Sequence, residues 1–231
     1  MQMQGAARDA QAKPCRFYEC TGYCRHGTEC RNRHALFTDG RMLMLRNIIP
    51  RIQHKDKAEL YKFYDHCFED IFLRLAQLGP MQDFLVAENT NHLAGTVYAQ
   101  YASQVAAQDV ASKLSNTYYA GFPVRAEVIG VESIHKTLCR DEYASGKSGS
   151  KCAHGLSCSF VHKFLPQQKM WEDMKLMSVD AELSRKTVER IKSEANYVYT
   201  GHDTVLDLNY PINEEAVHFN IRFANGVMMP V

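Results

Sequence analysis

The chain of 231 residues lacks any stretch approaching the roughly 18 apolar residues needed to cross a bilayer. Its opening run, MQMQGAARDAQAKP, lacks the apolar segment of a secretory leader, which predicts an intracellular protein. It also lacks a paired acid and base or a nucleophile beside a base. His54, His92 and His135 stand alone in sequence, and an isolated histidine is usually structural, so no enzyme is expected. No membrane partner and no small-molecule substrate are expected either. What is present is an apolar fraction of 45%, ordinary for a protein with a packed core, and eight cysteines. In a chain without a secretory leader, such cysteines read as metal ligands or free thiols rather than disulfides.

The net charge of +1 hides a segregated pattern. Residues 1–51 hold nine basic and four acidic side chains (+5), and residues 52–135 hold six and ten (−4). Residues 136–169 return to six and two (+4), and 170–231 to six and ten (−4). The two basic segments are the two that contain clustered cysteines. Such segregation predicts local polyanion binding by a chain that is nearly neutral as a whole.

The first cluster is Cys15, Cys24, Cys30 and His34, spaced C-x8-C-x5-C-x3-H. The second is Cys139, Cys152, Cys158 and His162, spaced C-x12-C-x5-C-x3-H. Three thiolates and one imidazole satisfy a tetrahedral zinc ion, and four protein ligands leave no open position for water. The sequence thus predicts two structural zinc ions in two small CCCH fingers, over 14–38 and 136–166. A finger of this size has almost no core, so the metal must supply most of its folding energy. Cys20 and Cys67 break the repeated pattern and read as structural thiols. Aromatic and basic residues interleave with the ligands: Phe17, Tyr18, Arg25, His26, Arg31 and Arg33 in one finger, Tyr143, His154, Phe160 and Lys163 in the other. Flat apolar faces with nearby cations are what single-stranded bases and their phosphates require.

Between the fingers, residues 41–133 read as β-α-β-β-α-β within an α+β architecture. Met42–Ile49 is a short apolar run ended by Pro50. Asp56 followed by Glu59 opens a helix whose apolar positions recur to Leu78, before Gly79-Pro80. Asp83–Glu88 and Leu93–Tyr101 read as strands, Ser103–Leu114 as a second helix, and Tyr118–Val131 as a last strand. That order predicts a ferredoxin-like RNA-recognition motif (RRM). Its base-stacking signatures are damaged. Ala94-Gly95-Thr96-Val97-Tyr98-Ala99-Gln100-Tyr101 has lost the basic residue and first aromatic of the RNP1 pattern, and Met44 stands where RNP2 would place an aromatic. Tyr98 alone remains as a stacking platform. Asp65, Glu69 and Asp70 give the first helix an acidic side, which repels phosphate and attracts basic peptide.

Finger, recognition domain and finger, with this acidic helix, resemble the small subunit of the U2 auxiliary factor (U2AF). The resemblance covers about residues 14–176. It is carried by Cys24-Arg25-His26-Gly27, by His92-Leu93-Ala94-Gly95-Thr96-Val97-Tyr98 and by Gly121-Phe122-Pro123-Val124-Arg125-Ala126-Glu127. It implies a nuclear pre-mRNA splicing factor whose fingers bind single-stranded RNA at the 3′ splice site AG, through Phe17, Arg25, Arg31, Arg33 and Phe160. It implies that the central domain is a U2AF homology motif, a non-RNA-binding RRM that holds a peptide bearing Trp and Pro from the large U2AF subunit. Asp65, Glu69, Asp70, Tyr118 and Tyr119 would face that peptide. The chain departs from the family in three places. Thr117-Tyr118-Tyr119 replaces an Arg-x-Phe loop, the second finger's first spacer is lengthened around Ser145–Ser150, and no Arg/Ser-rich tail is present. A CCCH regulator of mRNA stability or 3′-end processing is the alternative, disfavoured because the recognition sheet lacks its aromatics.

Beyond the second finger, Met170, Met174, Met177, Ala181, Ser184, Val188, Ile191, Ala195 and Val198 follow alternating spacings of four and three. This predicts a C-terminal helical extension over 167–199. Residues 200–231 carry no motif beyond a strand-like pattern at Ala216–Phe223.

Overall fold

The computed structural model describes residues 12–35, 40–51, 56–145 and 152–166. Beyond these it describes residues 172, 186 and 189 and the strand residues 199–200, 203–207, 220–224 and 227–229. The elements that position the site begin with a short helix α1 (Arg16–Thr21) and a 3-10 turn (Gly27–Glu29). The central unit follows as β1 (Met42–Leu45), α2 (Lys57–Leu78), β2 (Met81–Val86), β3 (Val97–Tyr101) and α3 (Gln104–Leu114). A hairpin of β4 (Tyr118–Tyr119) and β5 (Phe122–Pro123) precedes β6 (Ala126–Ile129). The last finger contains 3-10 turns at Ile134–Lys136 and Gly155–Ser157 and helix α4 (Arg140–Ser145).

The sheet order β2-β3-β1-β6, antiparallel throughout, is that of the ferredoxin-like fold the sequence predicts. Asp56 starts α2 by accepting from the Ala58 N–H at 2.8 Å, and Ser103 starts α3 by accepting from Ala106 at 3.2 Å. Along β1 the side chains alternate. Leu43 and Leu45 pack beneath α2 and α3 with Phe63, Phe68, Phe84 and Val97, whereas Met42 and Met44 enter a second core with Leu85, Tyr98 and Ile129.

Two strand expectations are corrected. The strand expected from Leu93 begins at Val97, because Asn91–Thr96 is a turn closed by Ala94 N–H to Asn91 O (3.1 Å) and Thr96 N–H to Leu93 O (3.0 Å). The single strand expected over Tyr118–Val131 is divided, because Ala120 (φ 50°) and Gly121 (φ 77°) reverse the chain between β4 and β5.

The larger correction concerns Tyr98. Its ring is fully buried, and its hydroxyl donates to the Thr21 carbonyl at 2.8 Å. The face on which an RRM stacks bases is covered from both ends by the segments that carry the cysteines. Val131, Ile134 and Val161 fill one side, and Tyr23 packs on the other. Gly22 lies so close to β6 that a Cβ there would sit 2.7 Å from Ile129 Cδ1. Beyond the second finger, Phe164 turns back into the core on the opposite face, against Tyr61, Tyr64 and Phe68.

Further along, β7 (Tyr199–Thr200), β8 (Asp203–Asp207), β9 (Asn220–Ala224) and β10 (Val227–Met229) form an antiparallel meander in the order β10-β9-β8-β7. The strand-like pattern at Ala216–Phe223 overlaps β9. Of the helix expected over 167–199, residues Glu172, Lys186 and Glu189 are helical and Tyr199 opens β7. The remainder lies outside the described residues.

Candidate metal centres and nucleic-acid interface

The two cysteine clusters are built alike. In the first, Cys15 precedes α1 as its N-cap; in the second, Cys139 directly precedes α4. Each second cysteine opens a Cys-x-His-Gly turn: Gly27 (φ 48°) donates to Cys24 O and Gly155 (φ 49°) to Cys152 O, both at 3.0 Å. The 3-10 turn that follows delivers Cys30 or Cys158, and the histidine comes four residues later. In each cluster the four ligand atoms lie within 4.8 Å of one another.

The spacing fits zinc. Cys24 and Cys30 sulfurs are 3.8 Å apart, as are those of Cys139 and Cys158. A tetrahedron with Zn–S near 2.3 Å has an edge of about 3.8 Å, whereas a disulfide would require about 2.05 Å. Burial pushes the Cys24 thiol up to about 11 and the Cys158 thiol up to about 12, and neighbouring thiols add to both rises. Three sulfurs packed so tightly ionise together when a cation sits among them. Nε2 of His34 and of His162 is buried without a protein partner, as a nitrogen aimed at a metal would be. Each cluster therefore fits one zinc ion. Cys20 lies half-buried outside the first cluster, and Cys67 is buried in α2, where burial raises its thiol far above its ordinary range.

The two fingers meet. Phe17 on α1 and Phe160 in the second finger have ring centroids 5.5 Å apart, and the Arg16 guanidinium lies 5.6 Å above the Phe160 ring. Phe17 remains 37% exposed, and Arg25, Arg31 and Arg33 are exposed on the same finger. Nearby, Tyr23 packs edge-on against His92 at 5.2 Å, beneath the Arg46 guanidinium at 5.1 Å. Burial, then the positive charges of Arg25, His26 and Arg51, push the His92 imidazole down to about 4. Arg16, Arg46 and Arg51 did not stand out in the sequence, and His92 read there only as an isolated histidine within the run His92–Tyr98. The run of cations from Arg16 to Arg51 was the available signal, but their convergence is a product of the fold.

On the other side of the sheet an open cleft lies between α2, the end of α3 and the β4–β5 hairpin. Asp70, Ile71, Arg74, Leu114, Thr117 and Tyr119 line it. Of the acidic trio, only Asp70 reaches the cleft, and it is buried rather than on a solvent face; Asp65 and Glu69 are half-buried outside the lining. Burial raises the Asp70 carboxyl to about 7, with the Tyr119 hydroxyl opposing, Glu69 adding and Arg74 opposing. Asp70 Oδ2 and the Tyr119 hydroxyl have no hydrogen-bond partner of normal geometry. Tyr119 is thus part of the cleft floor, while Tyr118 stands half-buried beside it.

No protein-family model matches the chain. It is 26% identical over 189 residues to the splicing factor U2AF 23 kDa subunit of Schizosaccharomyces pombe, covering 79% of this chain and 85% of that protein. It is 29% identical over 163 residues to the splicing factor U2af 38 kDa subunit of Drosophila melanogaster, covering 64% of this chain and 60% of the relative. It is 28% identical over 160 residues to a U2af small-subunit splicing factor of Arabidopsis thaliana, covering 64% and 55%. It therefore spans most of the yeast relative and little more than half of the other two. With its paired cysteine–histidine clusters around a ferredoxin-like sheet, the chain is similar to U2AF small subunits and diverged from each of them.

Proposed function

We propose that this chain is a nuclear pre-mRNA splicing factor that holds single-stranded RNA at the 3′ splice site AG through its two fingers. Its central domain binds a Trp- and Pro-bearing peptide of the large U2AF subunit. Three modules divide the work: finger 14–38, domain 41–133 and finger 136–166. Cys15, Cys24, Cys30 and His34 hold one zinc ion, and Cys139, Cys152, Cys158 and His162 hold the other. The ions close the fingers; the neighbouring residues do the binding.

One observation carries this reading: the sheet face that would stack bases is buried under the fingers, with Tyr98 fully enclosed. Base stacking then falls to the aromatic pair where the fingers meet, Phe17 and Phe160, with Arg16, Arg25, Arg31 and Arg33 to neutralise phosphates. The opposite side of the domain is left to a protein ligand. Its cleft has apolar walls and a buried carboxyl oxygen, Asp70 Oδ2, without a hydrogen-bond partner, which suits an aromatic side chain carrying an N–H donor. Glu69 precedes Asp70 on α2, Asp65 lies one turn before Glu69, and both would meet basic residues of the same peptide.

The test separates the two surfaces. Affinity of the zinc-loaded chain is measured for a short single-stranded RNA ending in AG and, separately, for a basic Trp- and Pro-bearing peptide. Glu69→Lys with Asp70→Asn is expected to weaken the peptide about tenfold and leave RNA affinity unchanged. Loss of RNA binding with peptide binding intact would reverse the assignment of the surfaces.

A further inference from the structure

The two histidines that close the clusters are supported differently, and the difference points to a residue outside both ligand sets. Nδ1 of His162 lies 3.3 Å from Oε2 of Glu142, a pairing distance without hydrogen-bond alignment. The histidine is fully buried, and the glutamate side chain is 10% exposed. Glu142 stands in the first turn of α4, three residues after Cys139. That short helix therefore carries one ligand of the second cluster at its start and touches another ligand one turn on. In the first cluster His34 has a different neighbour: the Tyr18 ring stacks on it, centroids 4.3 Å apart and planes 6° from parallel. Tyr18 stands three residues after Cys15, the position Glu142 takes after Cys139. The same place in the two fingers thus holds a ring in one and a carboxylate in the other.

We infer that Glu142 is a positioning residue for zinc in the second finger: its carboxylate faces Nδ1 of His162, takes up the Nδ1–H when the metal binds, and leaves Nε2 for the metal. This rests on the reading of Cys139, Cys152, Cys158 and His162 as a zinc set. A carboxylate on the far nitrogen of a ligating imidazole fixes its tautomer and ring plane and makes the ligating nitrogen more basic. A stacked ring restrains the plane of His34 without selecting a tautomer. Three thiolates and a divalent cation sum to −1, and the carboxylate adds a second negative charge. The +4 balance of residues 136–169 offsets it. The second finger is accordingly the tighter of the two zinc sites, and the chain releases its metal from the first finger first.

The test uses the full chain loaded with two zinc ions and competed against a chelator with a colorimetric readout. Release is expected in two phases, with Cys24→Ser removing the fast one. Glu142→Ala is expected to weaken the slow site about 10- to 100-fold, and Glu142→Gln, whose amide oxygen still accepts, to weaken it less. Arg140→Ala on the same helix serves as the control for a general loss of structure and is expected to behave as wild type. Long-range proton–nitrogen spectra of the imidazoles, which a merely structural role for Glu142 would not move, are expected to show His162 protonated at Nδ1 in the parent and in Glu142→Gln. Ligation of His162 through Nδ1, or Glu142→Ala releasing zinc at the parent rate, would overturn the inference while leaving the zinc assignment standing. A chain that binds no zinc at the second cluster would overturn both.

Discussion

The two fingers share a ligand order and a turn, yet they are fastened to the central domain by different forces. The first is docked. Gly22 presses on Ile129, Tyr23 packs between Arg46 and His92, and one side-chain hydrogen bond joins Tyr98 to Thr21. The second is woven into the backbone. Ala87 pairs with Lys163, Glu88 N–H donates to His162 O at 2.8 Å, and Phe164 N–H donates to Val86 O at 2.9 Å. Asn89, almost fully buried, donates to the carbonyls of Cys158 (3.0 Å) and Phe160 (2.9 Å) and accepts from His162 N–H (2.8 Å). A docked module can be lost alone. A woven one takes its host with it.

Breaking one ligand in each finger gives the largest contrast. Cys24→Ser and Cys158→Ser should each remove one of two zinc ions, because metal binding supplies on the order of 10 kcal/mol to folding of such a module. The Cys24 variant should keep the unfolding transition of the central domain. The Cys158 variant should lower it, since Phe164 and the Asn89 network depend on the finger's path. Zinc content by elemental analysis and thermal unfolding by near-ultraviolet circular dichroism measure both effects. Equal shifts in the two variants would erase the distinction between docking and weaving.

Asn89→Ala tests the weave without touching a ligand. It strips three hydrogen bonds from buried backbone groups, at about 3 kcal/mol in total once their desolvation is counted. Stability in urea should fall by that amount with both zinc ions retained. A variant as stable as the parent would show that the second finger holds its course without Asn89. Phe17→Ala comes next in size. It should cost about 2 kcal/mol of RNA affinity through lost stacking, with zinc content and fold intact. Unchanged affinity would remove base stacking from the junction of the fingers.

The sequence made some of this legible and hid the rest for physical reasons. Both clusters could be read because ligand chemistry restricts residue type and spacing together, and the Cys-x-His-Gly turns repeat locally. The ferredoxin-like order could be read because the apolar periods of α2 and the strands are strong over many residues. Tyr98 could not be placed, since an aromatic in RNP1 looks the same whether it faces solvent or a docked finger. Asp70 looked like a solvated charge because its neighbours Asp65 and Glu69 are polar, while its burial depends on Tyr119 and Leu114, more than forty residues away. Asn89 and Glu142 carried no signal, because their partners are a backbone in one case and a distant ligand in the other.

Tyr98 also supplies the smallest and most discriminating effect. Its hydroxyl makes one buried hydrogen bond, to Thr21 O, and the ring has no exposed surface. Tyr98→Phe keeps the ring and removes that bond, at about 1 kcal/mol, less if the Thr21 carbonyl finds another donor. The loss should appear as looser docking of the first finger, read as faster amide exchange over Arg16–Thr21, with the second finger unaffected. RNA affinity should not move, because an enclosed hydroxyl cannot reach a base. A tenfold loss of RNA binding with both zinc ions in place would mean that the finger lifts and the sheet beneath it takes part in recognition, and the division between a docked finger and a closed sheet would then fail.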